Sequence, residues 1–238
     1  QHGEVDFRDS RRDQKHGRIW RITFDDQDTL PIEDLSQLDE KALAGKLNAP
    51  EALTRQLALT EMRNRDPKAV LPAVANLSVP DGVDPDLVAL RKVWASQTLN
   101  QFDEKAAVAL LDSKNHKARA AALRAIYYRA ADNDEALAIA SKAIADPHPQ
   151  VRLWAVSVLA QLDVKETVTT AMKAIDGVEL DEFLDFALWS ICREHSDRWV
   201  ADAQEKNPFS STRQLLFAVR AINKPVAVDQ ILSALESG

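Results

Sequence analysis

Apolar positions between Thr54 and Ile222 recur with a helical period, and they do so in six similar blocks. The blocks are TRQLALTEM from Thr54, LRKVWASQTL from Leu90, ARAAALRAI from Ala118, VRLWAVSVL from Val151, FLDFALWSI from Phe183 and QLLFAVRAI from Gln214. Registered on Ala58, Trp94, Ala122, Ala155, Ala187 and Ala218, they stand 36, 28, 33, 32 and 31 residues apart. A period of this length belongs to helical hairpins that bury their apolar faces by stacking on their neighbours. The pattern predicts an all-α fold: an α-solenoid of about six helical hairpins over residues 33–238, preceded by a short extended or β segment within residues 1–32.

Punctuation divides each unit into two helices. In the fourth, Asp146 before Pro147 reads as an N-cap, and Val151, Ala155, Val158 and Leu162 mark a first helix. Val164, Val168, Ala171, Met172 and Ile175 mark a second, which Gly177 ends. The recurring alanine lets paired helices approach closely, where a larger side chain would hold them apart. Similar starts are read at Asn48, Asp66, Asp84 and Ser196 and after Pro208, and Ser36 to Asp39 reads as a capping box opening a helix that buries Leu43 and Leu47.

The stretch DPHPQVRLWAVSVLAQL closely resembles the HEAT-repeat consensus, with aspartate and proline at the turn, then Val-Arg and a small residue. The expected hairpins are therefore HEAT-like, and Arg55, Arg91, Arg119, Arg152 and Arg213 sit at or near that repeat's arginine position. Such a set of arginines either grips an anionic ligand or pairs with acids and turn carbonyls of its own and neighbouring repeats. The family's usual stacking role for this arginine, and the acidity of the body, favour the second.

That acidity bounds function. The chain of 238 residues carries a net charge of −7 with a pI near 5.3. Residues 1–24 hold six bases and four acids, which leaves 24 bases and 33 acids in the remainder. Binding to nucleic acid or an anionic membrane rests on clustered Lys and Arg neutralising phosphates, and this body lacks that surplus. A single cysteine, Cys192, excludes an intrachain disulfide, a CxxCH haem attachment and a cysteine-based zinc site. No stretch of 18 apolar residues occurs. The initial Gln leads to the expectation of a processed or excised piece.

Catalytic signatures are missing: no nucleophile elbow, HExxH, phosphate-cradling glycine loop or dinucleotide fingerprint occurs. No catalytic, cofactor-binding or metal-ligating residue is assigned. His195 reads as a histidine facing a helix C-terminus. His116 and His148 fall in equivalent turns, expected to stand a repeat layer apart and so not to share a metal. Asp25, Asp26 and Asp28, like Asp132, Asp134 and Glu135, lack the glycine and distal glutamate of a calcium loop and read as solvated turns and caps. Cys192 reads as apolar packing. Trp94, Trp154 and Trp189 recur in the first-helix motif as core or inter-repeat packing, in preference to a carbohydrate platform.

The leader differs from everything after it. Asp6, Arg8, Asp9, Arg11, Arg12 and Asp13 alternate in sign, which suits an ion-pair network pinning a loop to a domain surface. In RIWRITF, Ile19, Trp20, Ile22 and Phe24 punctuate an alternating strand that needs neighbours to satisfy its backbone. The segment QHGEVDFRDSRRDQKHGRIWRITF resembles the stretch closing the β-propeller of membrane-bound dehydrogenases of planctomycetes and related bacteria, whose propeller is similar to that of quinoprotein glucose or sorbosone dehydrogenases. In that family a HEAT-like helical region follows, then commonly a c-type cytochrome domain. The resemblance covers about the first 65 residues. It implies a propeller tail and linker over 1–32, a HEAT-like region over 33–238, junction contacts at Asp6, Arg8, Asp9, Arg11, Arg12, Asp13 and Trp20, and a periplasmic or extracytoplasmic setting.

The expected function is thus a non-catalytic scaffold that spaces sister domains of a sugar dehydrogenase-like parent or docks another protein, with no cofactor of its own, no nucleic-acid partner and no membrane insertion. The alternatives are a free-standing HEAT adaptor and a HEAT-like DNA glycosylase of the alkylation-repair kind. The latter calls for a basic concave face, at odds with the acidic body.

Overall fold

In the computed structural model of this chain the described residues are 8–11, 13, 15–17, 33–130, 135–205, 207–222 and 229. Packing divides the chain into residues 1–34 and residues 35–238. Among the described residues all regular structure is helical, with twelve α-helices and no strand. The strand read in RIWRITF, the aspartates Asp25, Asp26, Asp28, Asp132 and Asp134, and the junction residues Asp6, Arg12 and Trp20 lie outside the described residues.

In residues 1–34, two aspartates organise short turns. Asp9 accepts from the backbone N–H of Arg11 at 2.9 Å and pairs with its guanidinium at 2.6 Å. Asp13 accepts from the backbone N–H groups of Lys15 and His16, both at 3.1 Å. These bonds run two or three residues along the chain, the usual use of Asp in a turn.

Residues 35–238 run through α1 (Glu40–Gly45), α2 (Ala52–Met62), α3 (Pro67–Ala75), α4 (Pro85–Thr98), α5 (Glu104–Ala109), α6 (His116–Tyr127), α7 (Ala136–Ala143), α8 (Pro149–Leu159), α9 (Thr167–Ala171), α10 (Glu182–Glu194), α11 (Ser196–Glu205) and α12 (Thr212–Ile222). The even-numbered helices carry the six aligned blocks, and each packs against the next even-numbered one. Each short odd-numbered helix packs against a neighbour in sequence or in space.

Caps set the boundaries. Asp66 and Asp84 accept from the N–H groups of Lys68 and Asp86 at 2.9 Å, with Pro67 and Pro85 at the first helical position, where a missing N–H is harmless. Three starts differ from the sequence reading. α1 is capped by Asp39, which accepts from Ala42 N at 2.6 Å, while Ser36 lies in the 3-10 turn Leu35–Gln37. The turn Lys46–Asn48 displaces the start of α2 to Glu51. α8 is capped by His148 instead of Asp146, because the proline at its first position is Pro149. The second helix of the fourth unit is also shorter than its apolar pattern: α9 passes into the 3-10 turn Met172–Ile175, and Gly177 at φ +68° follows.

Among the described residues, two apolar clusters fill this unit. One gathers Leu35, Leu43, Leu47, Ala58, Met62, Val70, Val74, Ala95 and Leu99; the other extends from Leu90 to Ile222. Helix α4 serves both, giving Leu90 and Val93 to one and Ala95 to the other. Ala58, Ala122, Ala155 and Ala218 are fully buried, as close helix approach requires. In α4 and α10 the register slips by one residue: Ala95 and Leu188 are fully buried, whereas Trp94 is 38% exposed and Ala187 half-buried. One residue turns a helix by about 100°, so a slip of one position exchanges a core residue for a half-exposed neighbour.

Candidate binding groove

The five aligned arginines each find acceptors within the chain. Arg55 Nη1 donates to the carbonyls of Ala49 (2.6 Å) and Pro50 (2.7 Å), and Arg91 Nη1 to Asn48 Oδ1 (2.8 Å). Arg119 grips both carboxylate oxygens of Asp146 at 2.7 and 2.8 Å and also donates to Ser113 O. Arg152, 6% exposed, donates to the carbonyls of Asp146, Ala174 and Asp176. Arg213 Nη2 donates to Val178 O at 3.0 Å. Arg55, Arg152 and Arg213 thus tie a helix to a turn through backbone carbonyls, whereas Arg91 uses the Asn48 side chain and Arg119 mainly the Asp146 carboxylate. Of the junction residues described, Asp9 and Arg11 pair with each other, and Asp13 lies 3.2 Å from His16 Nδ1. The Arg11 side chain, then its backbone N–H, holds the Asp9 carboxyl below its ordinary pKa.

The histidines of equivalent turns are not a layer apart. His116 and His148 stack, with ring centroids 3.6 Å apart and planes inclined by 10°. The expectation of distance counted backbone layers and ignored side-chain reach: His116 opens α6, His148 caps the neighbouring α8, and both rings extend into the interval. Desolvation, then the neighbouring His148, Lys117 and Arg119, lowers the pKa of His116 against the pull of Asp146. Among the described residues no three His, Cys, Asp or Glu side chains form a group able to hold a metal. His195 ends α10 as its C-cap.

Cys192 is fully buried, its sulfur 3.4 Å from that of Met172, and burial pushes its thiol up to about 12. Its carbonyl accepts from Trp199 Nε1 at 3.0 Å. Trp199, packed edge-on to Phe209, is the largest fully buried side chain among the described residues, whereas Trp94 is partly exposed and Trp154 and Trp189 half-buried.

Trp154 leads to a concavity with aromatic walls, a groove of about 350 Å³ between α8 and α10. On α8 and just beyond it, Trp154, Ser157 and Gln161 share a face by their spacing of three and four residues; on α10, Phe186, Ser190 and Glu194 share one at intervals of four. Ala160 and Ala187 keep the floor low between these walls. Tyr127 of α6 meets Trp154 edge-on at 5.9 Å and accepts a long hydrogen bond from Gln161 at 3.4 Å. The Arg124 guanidinium lies over the Trp154 ring at 5.6 Å.

Beyond the groove, α10 continues the aromatic surface. Phe186 stacks on Trp189 at 5.9 Å, and Arg193 covers the Trp189 ring at 5.0 Å. Phe183 and Phe186 are 64% and 65% exposed, and Tyr128 is 60% exposed. Of this surface, the first-helix motif singles out only Trp154 and Trp189. The signal that could have found the rest is the spacing of Phe183, Phe186 and Trp189, three residues apart and outside the buried set Leu184, Leu188, Ile191 and Cys192.

No helix among the described residues is long and apolar enough to cross a membrane. Compared with protein-family models, curated proteins and solved structures, the chain shows no match.

Proposed function

We propose that this chain is a non-catalytic α-solenoid of about six HEAT-like hairpins, each even-numbered helix paired with a shorter one, that docks a partner protein. The carrying observation is the aromatic groove between α8 and α10. Large rings on a protein surface, clustered and lining a concavity, mark contact sites far more often than solvated faces. The engagement of the arginines within the chain supports the same reading, since it assigns them to holding the repeats together.

The resemblance of the leader supports a wider setting: the helical part of a modular, sugar dehydrogenase-like protein outside the cytoplasm, with a sister domain or a separate protein as partner. A photo-crosslinking residue at position 186 of the full chain tests the docking role. The expected result is a single defined adduct that Trp154→Ala removes while circular dichroism stays unchanged. An adduct indifferent to Trp154, or none, would sink the reading.

A further inference from the structure

We infer that the face of α10 bordering the groove receives a basic segment of the partner, whose lysine or arginine side chains lie across Phe183 and Phe186 and pair with Glu182 and Glu194. This rests on the docking reading and names the chemistry of what docks. Phe183 and Phe186 expose about two thirds of their surface. On the same helix stand three carboxylates and one base, Arg193, which is drawn to the Trp189 ring. Among the described residues, Glu182, Asp185 and Glu194 take part in no ion pair.

Glu182 and Asp185 occupy the first turn of α10, where an acid favours the helix dipole and needs no further reason. Glu194 occupies the last turn, where an acid opposes the dipole. It lines the groove beside Ser190 and Phe186, so the helix carries there a charge that its own dipole disfavours and that no ion pair among the described residues holds.

Charge complementarity selects the occupant. A nucleic acid or an anionic membrane would bring phosphates against these acids and is repelled. A wholly apolar partner would cover the rings but strip water from carboxylates left unpaired. A basic segment satisfies both elements, because alkyl stems and apolar neighbours cover the rings while cations meet the π faces and the carboxylates. From Glu182 to Glu194 the helix rises about 18 Å, the length of roughly five or six extended residues.

The test uses the full chain and two fluorescein-labelled octapeptides of alternating residues, lysine with leucine and glutamate with leucine, followed by anisotropy at low salt. The lysine peptide is expected to bind at least tenfold more tightly than the glutamate peptide. Phe183→Ser with Phe186→Ser should raise its Kd at least tenfold and Glu194→Gln at least threefold, whereas Glu51→Gln, an exposed acid beside α2, should leave it unchanged. Equal weakening by Glu51→Gln marks non-specific attraction to an acidic body and overturns the inference. Preference for the glutamate peptide, or binding of neither, also overturns it. In either case an adduct at position 186 that depends on Trp154 leaves the docking reading standing, so the two fail separately.

Discussion

The imidazole of His116 lies flat against that of His148, their centroids 3.6 Å apart. The contact joins the first residue of α6 to the cap of α8 and so bridges two consecutive units. His148 is fixed by its own cap role, since its Nδ1 accepts from the N–H of Gln150 at 3.2 Å. His116 stands at the N-terminus of α6, where the helix dipole disfavours positive charge.

The pH dependence follows in sign. With the pKa of His116 lowered from 6.5 by desolvation, His148, Lys117 and Arg119, the unfolded chain takes up this proton first. Its contribution to stability is complete above pH 6.5 and is lost as pH falls from there through the lower folded value. The urea midpoint should drop between pH 7.5 and 5.5, and by less in His116→Gln, while His195→Gln serves as the comparison. An identical drop in His116→Gln would refute the assignment.

Asp146 is the second joint between these units. Both its oxygens are held by Arg119 with side-chain exposures of 11% and 12%, and it also accepts from His148 N at 2.8 Å. Desolvation raises its pKa, but Arg119 and the His148 N–H outweigh this and leave it lowered. Asp146→Ala strands a half-buried guanidinium and should cost about 2–3 kcal/mol by urea unfolding at pH 7. Arg119→Lys cannot restore the two-pronged geometry and should recover less than half of what Arg119→Ala loses.

Arg152 pins the turn after α9 to the turn before α8. Its three carbonyl acceptors lie at 2.5, 2.7 and 3.2 Å, and a lysine ammonium cannot span them. Arg152→Met should cost about 2–4 kcal/mol, the range for leaving buried acceptors without donors. Hydrogen exchange should localise the loss to the segment from Asp146 to Gly177.

The Cys192 thiol, buried and with its pKa pushed up to about 12, should resist Ellman's reagent at pH 8 in the native chain. Its labelling rate in urea should track unfolding measured by Trp fluorescence. Labelling within seconds in native buffer would contradict the packing seen against Met172.

Gly177, at φ +68°, has open space around the position of a Cβ. The cost of Gly177→Ala is therefore backbone strain alone, about 1–2 kcal/mol. Gly45→Ala, in a right-handed helical position with equal space, should instead be neutral or stabilising.

Much of the helical framework was legible in the residues. The sequence marks Leu43 and Leu47 as core, and they are 0% and 2% exposed; it marks Asp66 and Asp84 as caps, and they accept the expected N–H groups. These features depend on residues within one turn of each other. Where two prolines compete, as at Pro147 and Pro149, the local code was ambiguous and the cap fell to His148. The groove was less legible. Trp154 could be named from its motif, but Phe186 and Glu194 became its neighbours only through the packing of α8 on α10.

The sequence by itself determined the helical class, the recurring apolar blocks, the acidic body and the contrasting leader, because periodicity and charge are properties of order along a chain. Tertiary structure alone decided which ring faces solvent, which carbonyl each arginine reaches and that His116 meets His148. Those outcomes turn on the rotation of one helix against the next, and at about 100° per residue a slip of one position moves a side chain from core to surface.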